Sequence, residues 1–249
     1  MEENLLYYFV TNFLSTTEQC LTAFAKYQKP EGLHRLRVEI KKIKAIVYFA
    51  QDVYKVKNDL TKLKQLFNDA GTIRELQINI QLLSAIPNSP ERLITKLQNR
   101  ENILIRKFIR NGPKYIRQIN EFHKELCLPK ILDGKKPIKK YFKKEKEKAN
   151  KLLEIADRKL LHRYRTKLKK MMYVYNALPK KIRLEIELNS LTIKKQEKKL
   201  GDWHDLYSAI RFFSHENLPM KTMEYFLKIQ EKEKKQFISL SISLSDQHI

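Results

Sequence analysis

With 249 residues, 51 lysines and arginines and only 28 aspartates and glutamates, the chain carries a formal charge of +23 and a sequence pI near 9.8. Such a field gathers polyanions and repels other basic proteins, and the length suffices for a proper core in one large domain or two ordinary ones. The two cysteines, Cys20 and Cys127, stand apart without CxxC spacing or a nearby histidine pair, which argues against a zinc site or a disulfide framework and for a reduced, cytoplasmic chain.

Only five glycines and eight prolines interrupt a sequence rich in Leu, Ile, Lys, Glu and Gln, so an all-α protein is expected. The run Leu5 to Val10 follows two glutamates and turns polar at Thr11-Asn12, which fits neither a signal peptide nor a membrane span. It belongs to a packing helix over residues 4–28, with Leu6, Val10, Phe13, Leu14, Leu21, Phe24 and Ala25 at helical spacing. Pro30 suits the first turn of a second helix from about Glu31 to Val53. A third helix is expected over Lys57 to Ala70, ended by Gly71, and a fourth over 72–86 with Thr72 as its N-cap, before the Pro87-Asn88-Ser89-Pro90 turn. From Glu91 to about Leu126 the pattern predicts two helices or one that bends at Asn111-Gly112-Pro113.

Pro129 to Pro137 reads as the join between two halves, 1–128 and 129–249, which hold 21 basic against 13 acidic residues and 30 against 15. Lys139 to Asn150 reads as a solvated helical face. Further helices are expected from about Asp157 to Leu178, over Lys180 to Leu200 with Gly201 as its end, from an Asp202 cap through Trp203, Leu206, Ile210 and Phe213, and from Met220 to about Leu240 along Met223, Phe226, Leu227 and Ile229, before a frayed Ser-rich end. That makes about five helices in each half.

One basic cassette occurs twice, first as His34-Arg35-Leu36-Arg37-Val38-Glu39-Ile40-Lys41-Lys42-Ile43-Lys44 and again in the second half as His162-Arg163-Tyr164-Arg165-Thr166-Lys167-Leu168-Lys169-Lys170. On a helix, positions i, i+3 and i+7 share a face, so His34, Arg37 and Lys41 form one row of donors and His162, Arg165 and Lys169 its counterpart. Each row is flanked by an apolar stripe, Leu33, Leu36, Ile40, Ile43 and Val47 or Leu161, Tyr164, Leu168, Met171 and Tyr175. A second motif, Gly71-Thr72-Ile73-Arg74-Glu75-Leu76, returns as Gly201-Asp202-Trp203-His204-Asp205-Leu206. The step from Gly71 to Gly201 nearly equals that from His34 to His162, so the two motifs agree on an internal duplication.

Three functions compete for the cassettes. Lysines and arginines that merely face water need only charge, yet the copies keep His, Arg and Lys at matched positions, which weighs against that reading. Catalysis by His34 or His162 lacks a supporting nucleophile elbow, HExxH or P-loop, and few acidic residues stand nearby as hard metal ligands, so no metal or other cofactor is expected. Binding of a flexible polyanion fits best: Arg37 and Arg165 hold phosphate bidentately, Lys41, Lys42, Lys44, Lys169 and Lys170 act as point charges, and His34 and His162 bind best protonated. Arg74 and His204, placed in the first turn after a glycine break, add anion contacts or serve as local caps, with Glu75 and Asp205 available to orient the cassette cations. Arg106, Arg110 and Lys114, and Lys221, Lys228 and Lys232, read as solvated faces. Nucleic acid is the runner-up partner on charge alone, with no helix-turn-helix, RRM or KH signature in support.

The His-x-x-Arg-x-x-x-Lys-Lys pattern in both cassettes, each followed by a glycine and a basic-acidic pair, resembles the conserved-histidine α-helical domain, CHAD, over nearly the whole chain. The resemblance implies two helical bundles related by a pseudo-two-fold axis around a basic cavity or groove, and non-enzymatic binding of inorganic polyphosphate, often at polyphosphate granules. By position its binding residues would be His34, Arg37, Lys41, Lys42, Lys44, His162, Arg165, Lys169 and Lys170. The chain departs from the pattern in carrying Lys where the family prefers Arg, and in placing Met172 opposite Lys44, which implies weaker binding by the second half.

Overall fold

The computed structural model describes residues 4–86, 90–132, 134–153, 157–186, 188–214 and 220–245, with side chains described as far as 240 except at 221. The Pro87-Asn88-Ser89 part of the expected turn and the last four residues lie outside the described residues. Ten α-helices and no strand occur among the described residues: α1 Leu5–Tyr27, α2 Pro30–Tyr54, α3 Lys64–Ser84, α4 Glu91–Arg110, α5 Gly112–Lys124, α6 Lys135–Asn150, α7 Arg158–Ala177, α8 Lys180–Arg183, α9 Ser190–Phe213 and α10 Met220–Ser245.

Local chemistry accounts for most boundaries. Pro30 occupies the first turn of α2, where its missing N–H costs nothing, and Gln28 in the left-handed region at φ 50° turns the chain back from α1. The Asp157 carboxylate accepts from the Lys159 and Leu160 amides at 2.8 and 2.9 Å and so starts α7. α4 and α5 are separate helices that meet at Asn111, because Pro113 cannot supply an N–H to a continuous ladder.

Two expected helix breaks are absent. α3 runs without interruption through Gly71 and Thr72, and α9 through Gly201 and Asp202. A helix-ending glycine adopts positive φ, and among the described glycines only Gly134 does so, at 77°. A single interior glycine costs a helix about 1 kcal/mol relative to alanine, too little to stop one that is buried along its length. The real starts lie upstream. Asp59 caps a 3-10 turn over Leu60–Leu63 that leads into α3, and the Asn189 side chain accepts from the Thr192 amide at 3.0 Å to begin α9. The helix expected over Lys180 to Leu200 is therefore divided between the four-residue α8 and α9.

The apolar stripes pack as their spacing requires. Leu33, Leu36, Ile40, Ile43 and Val47 of α2 are fully buried, as are Tyr164, Leu168 and Met171 of α7, with Leu161 nearly so and Tyr175 partly covered. α1 lies along α2, and α2 against α7, so residues of both halves share one continuous apolar core. A smaller cluster (Leu76, Leu83, Leu93, Leu97, Ala209, Phe213 and Phe226) joins the far ends of α3, α4, α9 and α10. α6 is more than a solvated face, since it buries Ile138, Tyr141, Phe142, Glu145 and Ala149 beneath its exposed lysines. On α10 the buried line is Thr222, Phe226, Glu233, Phe237 and Leu240, whereas Met223 and Leu227 are exposed. Cys20 is buried, Cys127 is exposed, and both are free thiols. No helix among the described residues is long and apolar enough to cross a membrane.

Candidate functional site

Because α2 and α7 bury their apolar stripes against the same core, the rows beside those stripes are turned toward one another. Lys41 of α2 lies within electrostatic range of Lys169 and Arg165 of α7, His34 within range of Lys169, and His162 within range of Lys41. Residues far apart in the chain thereby form one cationic cluster. Burial, then repulsion from Arg37, Lys169, Arg165 and Lys44, pushes the Lys41 ammonium down to about 8. Burial followed by His204, Arg165 and Lys41 pushes His162 down to about 4. His34, Lys44 and Lys169 are depressed in the same way, by burial first and by neighbouring cations second; around Lys169, Glu197 and Asp205 act in the opposite direction. At neutral pH both imidazoles are therefore uncharged acceptors or donors, and the lysines and arginines supply the charge.

Arg37 and Arg165 each reach sideways to a glycine on the adjoining helix. The Arg37 guanidinium donates to the Phe67 carbonyl, lies over the Phe67 ring at 4.1 Å, and fills the space at Gly71, where an added Cβ would stand only 2.9 Å from Cζ. Glu75, one turn further along α3, partly offsets the cost of burying that charge. Arg165 approaches Gly201 in the equivalent place but less tightly, with Nη2 at 3.7 Å from where a Cβ would stand. Gly71 and Gly201 are thus notches for arginines, and at Gly71 the approach is one that only glycine permits.

Three residues after each notch stands a partner for the cassette histidine. Arg74 lies within range of His34, and His204 stacks on His162 with ring centroids 4.5 Å apart and planes inclined by 27°. Both are mid-helix, so no helix N-terminus contributes anion-binding amides there, contrary to expectation. Arg74 Nε, Arg165 Nε and His162 Nδ1 are buried without a hydrogen-bond partner. Unpaired buried polar atoms are costly, and three of them lie around this one cationic cluster.

Two of the expected binding residues point elsewhere. Lys42 pairs with Glu39 at 2.9 Å and lies over the Phe13 ring at 4.9 Å, facing α1. Lys170 lies over the Tyr48 ring at 5.0 Å and feels Glu145 and Asp52, on the side where α2, α6 and α7 meet. One residue along a helix is a rotation of about 100°, enough to remove each from its neighbour's row. Lys44 stays at the edge of the cluster, 4.2 Å over Phe67. Sequence spacing gives no sign of Glu197, which pairs with Lys169 at 3.6 Å. Nor does it single out Arg100, Lys159, Arg163 and Arg211, which line a cleft beside His162 and His204. Arg211 is legible as the residue seven after His204 on one helical face; Arg100, on a separate helix, is not. Among the described residues no three His, Cys, Asp or Glu side chains are placed to hold a metal.

The fold and this cluster define an all-helical protein whose basic rows, from two sequence-distant helices, converge on one place. The family model of the CHAD domain matches residues 11–214, and the chain belongs to the CHAD family. Its fold is similar to that of the CHAD domain from the plant Ricinus communis, with a TM-score of 0.67 at 15% identity over 99% of this chain and 88% of that one. PptA from Streptomyces chartreusis is also similar, with a TM-score of 0.59 at 10% identity over 99% of both chains. No curated protein sequence matches the chain.

Proposed function

We propose that the chain binds inorganic polyphosphate without chemically altering it, through His34, Arg37, Lys41, Lys44 and Arg74 on one side and His162, Arg165, Lys169 and His204 on the other. Lys42 and Lys170 contribute long-range field rather than contact. The halves 1–128 and 129–249 are read as copies of one unit about a pseudo-two-fold axis, with the two rows lining a basic groove between them. The observation that carries the proposal is the convergence on the buried Lys41 of Arg37 and Lys44 from its own helix and of Arg165 and Lys169 from α7. Holding like charges together in a buried place is unfavourable for the free protein, and a polyanion relieves it. A flexible polymer engages the second row intramolecularly once the first is occupied, which favours long chains over short ones. A cytoplasmic protein that associates with polyphosphate granules suits this chemistry.

Isothermal titration with polyphosphates of graded length tests it. Affinity is expected to rise steeply with chain length and to fall with salt; equal affinity for orthophosphate and long chains would refute the proposal. Single-stranded RNA is the second candidate ligand, supported by the +23 charge, and competition at matched salt separates the two. Release of orthophosphate from polyphosphate, abolished in His34→Ala or His162→Ala, would instead make the protein an enzyme.

A further inference from the structure

His162 and His204 face two ways. They belong to the central cluster through Arg165 and Lys41, and they also form one wall of a cleft of about 590 Å³. The other walls come from Arg100 of α4, Lys159 and Arg163 of α7, Arg211 of α9, and the rings of Tyr207 and Phe212. Glu75 is the one carboxylate among its lining residues. None of the four cations forms an ion pair among the described residues; Arg211 only leans over the Tyr207 ring, at 6.0 Å from its centroid. Elsewhere exposed lysines do find carboxylates, such as Lys135 and Lys139 with Glu185. Unpaired cations gathered in a concave place focus a field that a lone surface charge does not.

In the first half Arg163 has a basic counterpart in Arg35, but Lys159 and Arg211 have none. By the step that takes Gly71 to Gly201, Tyr207, Ser208 and Arg211 correspond to Gln77, Ile78 and Gln81, and by the step that takes His34 to His162, Lys159 corresponds to Glu31. Gln77 is buried and donates to Glu101 at 3.0 Å. Lys159 and Arg211 thus belong to the second half alone, and the cleft they line opens next to the second row.

We propose that this cleft is a flanking phosphate-chain site, continuous with the central rows past the stacked His162 and His204, that lengthens the polymer segment held and gives the bound polymer an asymmetric path. This rests on the polyphosphate reading of the central cluster. Phosphates there meet guanidinium forks from three helices, suited to bidentate contact. Short oligophosphates are retained by the central rows, where charge is densest, and leave the cleft unused; long chains occupy both.

The double variant Arg163→Gln/Arg211→Gln tests it, both side chains being exposed at the cleft's edge. Titration with tripolyphosphate and with a chain of hundreds of phosphates is compared across salt concentrations. Affinity for the long chain is expected to fall about tenfold or more, and the slope of log K against log salt to drop by about two, while tripolyphosphate binding is unchanged. Lys140→Gln/Lys143→Gln on α6 removes equal charge elsewhere and is expected to leave both ligands unaffected. A wild-type protein that binds no polyphosphate overturns both readings. Wild-type binding that survives the cleft variant intact overturns this one alone, as does an equal loss for both ligands or a loss matched by the α6 variant. A cleft that captures single-stranded RNA in preference to the long polyphosphate also overturns it.

Discussion

Gly71→Ala and Gly201→Ala are the same chemical change at matching motif positions, yet they have opposite expected outcomes. Both residues are interior to helices, where alanine gains about 1 kcal/mol over glycine. At Gly201 the new methyl stands 3.7 Å from Arg165, an ordinary van der Waals contact, so that gain is realised. At Gly71 it falls within 2.9 Å of the Arg37 Cζ and closer still to Nη1, so the guanidinium must leave. Its departure forfeits a charge-assisted hydrogen bond to the Phe67 carbonyl, about 1.5–3 kcal/mol, and stacking on the Phe67 ring, roughly 1 kcal/mol. Gly71→Ala is then destabilising by about 1.5–3 kcal/mol, whereas Gly201→Ala is stabilising by about 1 kcal/mol. Urea unfolding of the two variants measures the difference, and polyphosphate titration adds a second readout: loss of one positioned arginine lowers affinity roughly tenfold or more at Gly71 and leaves it intact at Gly201. Equal unfolding midpoints and equal affinities in the two variants would refute the notch.

Binding is expected to take up protons. Burial, together with Arg74 at His34 and His204 at His162, depresses both histidines in the free protein, whereas phosphate favours their charged forms; affinity therefore rises as pH falls from 8 to 6, and calorimetry in buffers of different ionisation heat measures the uptake. Proton release on binding would contradict the site. Lys41→Met removes an ammonium held at about 8 against an ordinary 10.5, a shift that burdens the native state at pH 7 and is relieved as pH rises from 8 toward 10.5. The variant is expected to gain stability at pH 7, by about 3 kcal/mol at most, while losing polyphosphate affinity; lower stability would show that Lys41 has an unseen partner. Glu145 is buried, which raises its carboxyl, but hydrogen bonds from Lys167 at 2.8 Å and Lys148 at 3.0 Å outweigh this and hold it below the ordinary value. Its contribution is present above the ordinary carboxylate range and is lost as pH falls through the lowered native value. Glu145→Gln is expected to cost roughly 2 kcal/mol in urea unfolding at pH 7, an effect that fades in acid.

The amino-acid sequence by itself determined the helical class, the two apolar stripes and the rows beside them. These depend on a local regularity: the 3.6-residue turn places His34, Arg37 and Lys41 on one line and Leu33, Leu36 and Ile40 on the next, whatever the rest of the chain does. Sequence spacing also marked Gly71 and Gly201 as a related pair, though not their purpose. Helix-stop glycines and notch glycines look identical in a sequence, and the difference lies in Arg37 and Arg165, each distant in the chain and on another helix. Only the tertiary structure decided which cations meet. Packing of α2 on α7 brought Lys41 to Lys169 and Lys170 to Tyr48, packing of α1 on α2 set Lys42 over Phe13, and the placing of α4 brought Arg100 into the same cleft as His162. Such encounters depend on how helices cross, which is settled by the whole core rather than by any one segment.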